Sequence, residues 1–245
     1  FYQTLYEINK SMIENIKEYT LSINDFKEYV EMWIHEVKIP ISSLTLLNHN
    51  HKEQMDKKCT EQIRKLDNYI DQILYYVRSE NAQRDYIIKE KSLQDIIKSV
   101  ALKNKDDILE NNIEFNVNVN NETVLTDSKW LEFILNQIIN NGIKYKKDNC
   151  NSKIVVNVME DEEKTYLSIY DNGIGISKSD IPRVFDKSFT GENGRRMAKS
   201  TGMGLYIAKK LCDKLGHKIT IESKVQKYTR VTIIFSKSDF YKIKE

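Results

Sequence analysis

A histidine and a glutamate stand side by side early in the chain, in the segment WIHEVKIPI that spans residues 33–41. A neutral imidazole, with an unperturbed pKa of about 6.5, is a competent nucleophile at physiological pH. An adjacent carboxylate can orient one ring nitrogen and accept its proton, so His35 and Glu36 together favour nucleophilic chemistry. A single histidine on a helix is more often structural, and this motif therefore needs support from the rest of the chain.

A second group of polar residues lies in the segment NQIINNGIKY, residues 136–145. On a helix, Gln137, Asn141, Lys144 and Tyr145 share one face, because residues three and four apart are neighbours. That face offers an amide oxygen for Mg²⁺, an ammonium group for phosphate and an aromatic ring for a nucleobase. An ordinary polar helix face has a similar composition, so this motif alone leaves both interpretations open.

The eight glycines are unevenly distributed, and six of them fall between Gly173 and Gly204. Clustered glycine in a glycine-poor chain indicates a bound ligand or a moving loop. The first glycine motif, DNGIGI at residues 171–176, supplies a carboxylate that could accept a hydrogen bond from an adenine amino group. The second glycine motif, STGMGL at residues 200–205, opens a helix whose exposed amides attract phosphate. A hairpin turn or a capped helix start explains part of each motif, but not both of its glycines.

The residues between the glycine motifs are polar, basic and glycine-bearing, which is typical of a mobile lid over an anionic ligand. Upstream, apolar residues keep heptad spacing from Met12 to Val37 and again from Cys59 to Val77, with the polar residues 48–52 between them. This pattern predicts an antiparallel helical hairpin. One hairpin cannot bury both apolar faces, so a four-helix bundle formed by a homodimer is expected.

From about Tyr86 the pattern changes to alternating strands and helices. Together they predict an α+β sandwich with the helices on one face of the sheet. The expected strands are 113–119, 153–159, 165–170, 217–223 and 229–235, and the expected helices are 128–145, 178–185 and 203–215. We expect Trp130 and Cys212 to be packing residues, and His217 to face solvent at a strand start.

Composition excludes several classes of protein. With 38 basic and 36 acidic residues the net charge is only +2, which argues against a nucleic-acid partner. The three cysteines are far apart, so neither a disulfide scaffold nor a cysteine-rich zinc site is expected. No apolar run approaches the roughly 18 residues of a membrane span. The chain begins at Phe1, and we expect it to be a piece of a longer protein.

In this order, the four motifs resemble the H, N, G1 and G2 boxes of bacterial sensor histidine kinases, and the residues around Phe185 and Phe189 resemble the F box. The resemblance covers about residues 15–237. The runs FTGENGR and STGMGL are further similar to the bacitracin-resistance (BceS-like) group, whose members work beside ABC transporters that handle antimicrobial peptides. The resemblance implies an incoming signalling helix (1–20), a dimerization and phosphotransfer hairpin (21–82) and a Bergerat-type (GHKL) ATP-binding domain (86–240).

The resemblance also assigns roles to individual residues. It implies that His35 is the phosphoacceptor, Glu36 its general base and Asn141 a ligand of Mg²⁺. The implied reaction moves the γ-phosphoryl group of ATP to His35 and then to an aspartate on the receiver domain of a response regulator, at the cytoplasmic face of a bacterial membrane. The implied nucleotide-binding residues are Asn141, Lys144, Tyr145, Asp171, Gly173, Gly175, Arg195, Arg196, Thr201, Gly202, Gly204 and Leu205.

Two positions depart from the family pattern. Gln137 stands where many members have asparagine, and its longer amide can still reach the site. Ile39 stands where many have threonine or asparagine, and it cannot hold the water that dephosphorylates the regulator, so we predict weak or absent phosphatase activity. Two alternatives remain, a GHKL-type ATPase and a dimerizing ATP-binding scaffold whose kinase function has decayed. Phosphorylation of His35 separates the kinase from both.

Overall fold

The chain folds into two compact units. The computed structural model describes residues 2–50, 56–80, 86–147, 150–192 and 201–237. One unit comprises Phe1–Val77 and the other Arg78–Glu245. Within these described ranges, no helix combines the length and the apolarity that crossing a bilayer requires. The predicted divisions at residues 1–20, 21–82 and 86–240 remain predictions.

The first unit consists of two helices, α1 (Tyr2–Asn50) and α2 (Asp56–Glu80). Tyr29 of α1 stacks on Tyr76 of α2 with ring centroids 4.3 Å apart, and both side chains are buried. Pro40 lies inside α1, five residues beyond His35. The two helices of the predicted hairpin are thus present, and most of the turn between them lies outside the described residues.

The second unit is a sheet covered by helices. Its elements, in chain order, are β1 (Lys89–Ser92), α3 (Leu93–Lys103), α4 (Lys105–Glu110), β2 (Glu114–Asn118), β3 (Thr123–Thr126), α5 (Ser128–Lys144), β4 (Lys153–Glu160), β5 (Lys164–Asp171), a 3₁₀ helix (Ile181–Arg183), α6 (Gly204–Lys214), β6 (Lys218–Lys224) and β7 (Tyr228–Ser236).

Five of these strands form one mixed sheet in the order β2-β4-β5-β7-β6, and β1 pairs with β3 in a separate ribbon. The pair β2–β4 is parallel and the other neighbours are antiparallel. Alternate strand residues such as Ile154, Leu167 and Ile233 are buried. Helices α3 and α6 bury one apolar stripe each, whereas α5 is buried around most of its circumference. The α+β architecture predicted from the sequence is confirmed.

The prediction of a helix at residues 178–185 is wrong, because the structure has only the 3₁₀ turn Ile181–Arg183 there. Pro182 has no N–H group with which to continue a helix that started at 178. Beyond the turn, Ser188 adopts a φ of +59°, which no helix accommodates. The strands β1 and β3 and the helices α3 and α4 were not predicted from the sequence.

His217 is buried rather than solvent-facing, which corrects the prediction from sequence. Gly216 ends α6 with a φ of +72°, and the His217 N–H group donates back to the Cys212 carbonyl at 2.8 Å. This cap turns the histidine into the core, where its ring meets Phe235 edge-on at 4.6 Å and Nε2 lies 3.0 Å from the Thr126 hydroxyl. Trp130 and Cys212 are buried, as predicted.

Because burial lowers the pKa of His217 to about 4, we expect this residue to make the second unit sensitive to acid. The unfolded chain takes up a proton near pH 6.5 and the folded chain does not, so this contribution to stability is present above pH 6.5 and is lost as pH falls towards 4. The free energy of unfolding in urea is compared for the wild type and His217→Gln at pH 7.5 and at pH 5. Between pH 7.5 and pH 5 the wild type should lose about 2 kcal/mol of stability relative to the variant. A difference independent of pH would contradict this account.

Candidate nucleotide-binding site

Helix α5 carries the amide residues of the second motif. Its first turn is capped by Asp127, whose Oδ1 accepts a hydrogen bond from the Trp130 N–H group at 3.0 Å. The helix buries most of its length against the sheet and the neighbouring helices, so its orientation is fixed. Gln137, Asn141 and Tyr145 follow one another at intervals of four residues and therefore share a face.

At the Tyr145 end of this face lies the first glycine motif. A Cβ atom at Gly173 would overlap the carbonyl oxygen of Tyr145, so the loop passes directly over the end of α5. The Ile174 N–H group donates to the same carbonyl at 3.0 Å. Glycine is required here because the two backbones touch.

The other side of this loop is held by the turn between β6 and β7. Gly175 has a φ of +69°, and a Cβ atom there would overlap the Lys224 carbonyl. Gln226 donates its N–H group to the Ile174 carbonyl at 2.7 Å, and Ser223 Oγ accepts from the Ile176 N–H group at 2.8 Å. Ser223 and Gln226 were not identified from the sequence, since neither belongs to a recognisable motif.

Asp171 lies at the end of β5, where the loop begins. Burial raises the pKa of its carboxyl to about 6, against the lowering effects of the Gly173 N–H group and the charge of Lys147. Oδ1 accepts the Gly173 N–H group at 2.9 Å. Within the part of the chain that the structure describes, Oδ2 has no hydrogen-bond donor of its own, so it can accept one from a ligand.

At the Gln137 end of the same face lies the second glycine motif. Gln137 is buried, and its Oε1 would lie 2.5 Å from a Cβ atom at Gly204. Gly202 has a φ of +69°, and a Cβ atom there would lie 2.7 Å from the Phe189 nitrogen. Leu205 follows in the first turn of α6. The longer amide of Gln137 thus reaches the glycine motif across the helix pair.

The remaining predicted residues are distributed as follows. Thr201 Oγ1 accepts the Met203 N–H group at 3.2 Å, which shapes the turn into α6. Lys144 Nζ lies 5.4 Å from the centroid of the Tyr145 ring, at the same end of α5. Arg195 and Arg196 lie outside the described residues.

His35 and Glu36 lie in α1, in the other unit. The side chain of His35 is outside the described residues. Glu36 is half-buried, and its Oε2 accepts a hydrogen bond from the Tyr69 hydroxyl at 3.4 Å. Burial and the neighbouring Glu36 carboxylate raise the pKa of Tyr69 to about 12, so the tyrosine stays a hydrogen-bond donor. Tyr69, on α2, was not identified from the sequence.

The second unit therefore has a single face on which three predicted motifs converge. Gly204 lies against Gln137, and Gly173 lies against Tyr145. On α5, Asn141 lies midway between Gln137 and Tyr145, one helical turn from both. Glycine backbones can approach a ligand closely from both sides, with a carboxylate at one end and the start of α6 at the other.

The chain is similar to known proteins over most of its length. Residues 126–239 match the family described as histidine kinase-, DNA gyrase B-, and HSP90-like ATPase. The chain is 32% identical to the sensor histidine kinase YxdK of Bacillus subtilis, over 96% of this chain and 74% of that protein. It is 31% identical to the sensor protein BceS of Bacillus subtilis, over 88% of this chain and 64% of that protein. It is 30% identical to the sensor protein kinase GraS of Staphylococcus aureus, over 91% of this chain and 64% of that protein.

Solved structures share the fold. The histidine kinase AdeS of Acinetobacter baumannii superimposes with a TM-score of 0.64 at 19% identity, covering 84% of this chain and 98% of that one. The histidine kinase ThkA, solved in complex with the response regulator protein TrrA, gives a TM-score of 0.63 at 20% identity, covering 86% of this chain and 61% of that one. The identity of 32% to YxdK extends over 96% of this chain, and the chain therefore belongs to the sensor histidine kinases.

Proposed function

We propose that this chain binds ATP on the face of α5 and transfers the γ-phosphoryl group to His35. The observation that supports the proposal is that Gly173 lies against Tyr145 and Gly204 against Gln137, the α5 residues one helical turn after and before Asn141. A nucleotide laid along this face would have its base near Asp171 and its phosphates near the start of α6.

The two ends of the face suit the two ends of ATP. A carboxylate accepts hydrogen bonds and matches the amino group of adenine, and the Tyr145 ring offers an apolar wall beside it. At the other end, the N–H groups that open α6 favour phosphate oxygens, with Thr201, Gly202 and Gly204 forming the turn. Arg195 and Arg196 are proposed to add positive charge from the segment before this turn, and Lys144 to contact phosphate from α5.

Mg²⁺ fits the donors present on this face. Asn141 is half-buried and supplies an uncharged amide oxygen, the type of hard ligand that Mg²⁺ takes. Protein sites often hold this ion through one or two side-chain oxygens and leave the remaining positions to substrate phosphates and water. When bound, the ion would neutralise charge on the phosphates of ATP.

The proposed reaction forms one bond and breaks one. An imidazole nitrogen of His35 attacks the γ-phosphorus, an N–P bond forms, and the bond between that phosphorus and the bridging oxygen breaks to release ADP. Glu36 accepts the proton from the ring, and the Tyr69 hydroxyl holds the Glu36 carboxylate in place. The phosphoryl group then passes from nitrogen to an aspartate oxygen on a response regulator.

The helical unit supports the proposed homodimer. Met12, Ile16, Tyr19 and Ile23 of the predicted heptad positions are each more than half exposed in the single chain. A second copy of α1 would cover them in a four-helix arrangement. We further infer that the kinase lies at the cytoplasmic face of the membrane and that, like the BceS-like group it resembles, it responds to antimicrobial peptides beside an ABC transporter.

The test is phosphorylation itself. The chain is incubated with Mg²⁺ and γ-labelled ATP beside His35→Gln, and the labelled protein is tested for stability in acid and in alkali. Label that is lost in acid, retained in alkali and absent from His35→Gln is expected. ATP hydrolysis without label on His35 would favour the ATPase, and ATP binding with neither hydrolysis nor label would favour the scaffold.

We expect Ile39→Thr to shorten the lifetime of the phosphorylated regulator. Ile39 is 52% exposed on α1, four residues after His35, and its side chain cannot hydrogen-bond a water molecule. A hydroxyl there can orient an attacking water, for which we expect an effect of about tenfold or more. Decay of the labelled regulator in the presence of ADP measures this. Equal, rapid decay with both proteins would show that Ile39 does not limit phosphatase activity.

A further inference from the structure

We propose that the second unit has an anion-binding cavity at the start of α5, which takes a small polyanion of the di- or triphosphate class. The cavity has a volume of about 350 Å³, within the range of small-molecule pockets. Its wall contains four cationic side chains, those of Arg78, Lys89, Lys91 and Lys129. Gln137, the first residue of the proposed nucleotide-binding face, lies about 14 Å further along the helix axis than Ser128, so the two sites are separate.

Two of the lysines are brought to the cavity by the ribbon of β1 and β3. The two strands pair antiparallel, and β3 leads directly into the start of α5. Residues two apart on a strand share a face, so Lys89 and Lys91 both line the cavity. Glu90 lies on the opposite face of β1, where it accepts a hydrogen bond from the Thr123 hydroxyl at 2.7 Å. The strand therefore presents its two positive charges to the cavity and its negative charge elsewhere.

The acidic residue in the wall of the cavity is already bound by the main chain. Asp127 accepts the Trp130 N–H group on Oδ1 at 3.0 Å and the Ile87 N–H group on Oδ2 at 2.9 Å. By contrast, Lys89 and Lys91 form no ion pair within the part of the chain that the structure describes. Four positive charges against one negative charge leave the wall with an excess of positive charge.

This excess of positive charge determines the class of ligand. A phosphate group carries about −1.5 to −2 charges at pH 7, so two such groups supply about the charge that balances the wall. Lysine binds phosphate as a point charge, and the guanidinium of Arg78 offers several donors in one plane. Ser128, which also lines the cavity, adds a hydroxyl donor at the start of α5, where the helix dipole attracts negative charge.

Binding of inorganic pyrophosphate to the full chain tests the inference. Calorimetry without Mg²⁺ and at constant ionic strength compares the wild type with Lys89→Gln/Lys91→Gln and with the charge-preserving pair Lys89→Arg/Lys91→Arg. The matched control is Lys98→Gln/Lys105→Gln, which removes the same charge from two exposed lysines outside the cavity. Lys89→Gln/Lys91→Gln should bind pyrophosphate at least tenfold more weakly than the other three proteins.

Trp130 provides a second readout, because it lines the cavity. The chain has two tryptophans, and the other, Trp33, belongs to the first unit. In a Trp33→Phe background, pyrophosphate should change the emission of Trp130 with the midpoint that calorimetry gives. Orthophosphate has fewer charges, and citrate has only one charge on each carboxylate, so both should bind about tenfold more weakly than pyrophosphate.

Several results would overturn the inference. Equal affinity of the wild type and Lys89→Gln/Lys91→Gln, with no response of Trp130, would place pyrophosphate elsewhere, such as at the start of α6. Equal weakening in Lys98→Gln/Lys105→Gln would show that only the net charge of the protein matters. Citrate that binds as tightly as pyrophosphate would contradict the phosphate class. Unfolding midpoints identify any variant that misfolds, and none of these results bears on the phosphorylation of His35, which is measured separately.

Discussion

Asp171→Asn is expected to stabilise the second unit by up to about 3 kcal/mol at pH 7.5 while weakening ATP binding by about a hundredfold. The wild-type carboxyl must ionise in a buried position, where its pKa is raised from 3.8 to about 6. The folded state therefore holds its proton more tightly than the unfolded state, and stability falls as pH rises from about 4 to about 6. The amide does not ionise and avoids this cost.

The loss of binding follows from the geometry of the loop. Oδ1 of Asp171 is used by the Gly173 N–H group, and Oδ2 is the atom left for adenine. An asparagine has one oxygen, so satisfying Gly173 turns an NH₂ donor towards the amino group of adenine. The same donor would match the carbonyl of guanine, so the variant should lose ADP binding more than GDP binding.

Urea unfolding at pH 4 and 7.5, combined with ADP and GDP titrations, checks both parts of this prediction. The stabilisation should be present in full at pH 7.5 and largely lost at pH 4, where the carboxyl is protonated in the folded state and close to its titration midpoint in the unfolded state. The contribution of His217 to stability has the opposite pH dependence, since it is lost on acidification. His217→Gln therefore serves as the reference for the sign of the pH dependence. An equal stability difference at both pH values would show that the ionisation of buried Asp171 does not lower the stability of the second unit.

Gly175→Ala is the second variant for which we expect a large effect, a loss of about 2–5 kcal/mol of stability together with nucleotide binding. Gly175 has a φ of +69°, which costs an L-residue about 1–2 kcal/mol. Its Cβ atom would also overlap the Lys224 carbonyl, and main-chain atoms cannot rotate away as a side chain can. The turn between β6 and β7 would have to move, and the hydrogen bond from Gln226 would be strained or lost with it.

Gly142→Ala is the matched control. Gly142 lies inside α5, where alanine is favoured by about 1 kcal/mol, and its Cβ atom would lie 3.1 Å from the terminal Cδ1 of Ile154. A flexible side-chain end can adjust, so stability should change by about 1 kcal/mol or less. Thermal unfolding with and without ADP compares the two variants. Similar behaviour of Gly142→Ala and Gly175→Ala would show that backbone overlap is not the decisive factor.

The architecture of the second unit could be predicted because its signals are local. The alternation of apolar residues at 113–119 predicted β2, and β4, β5, β6 and β7 were also predicted, all five to within one residue at each end. Asp127 marks the start of α5. Helix α3 was not predicted, although its sequence carries a signal. Behind the Ser92 cap, its buried apolar residues follow helical spacing: Leu93, Ile96, Ile97 and Val100. The strands β1 and β3 are four residues long, too short for periodicity to reveal.

The candidate site could be predicted only in part. The glycine motifs indicate where the backbone is approached closely, but they do not indicate which other segment of the chain approaches it. Gly173 meets Tyr145 and Gly204 meets Gln137, contacts between segments far apart in sequence. The side chain of Lys147 interacts with the main-chain carbonyl of Gln226. Since every residue has such a carbonyl, residue type alone does not reveal this contact. The burial of His217 depends on a glycine cap whose direction becomes apparent only in three dimensions.

The hydrogen bonds around the first glycine motif also bear on the entropy of binding. The N–H groups of Ile174, Ile176 and Gln226 are already paired within the chain, on both sides of the loop. Their amide hydrogens should therefore exchange slowly with solvent whether or not a nucleotide is present. Because this loop is already ordered, little conformational entropy is lost when adenine binds. Regulation of affinity by an upstream signal would then have to act on the phosphate end of the site, leaving the base end constant.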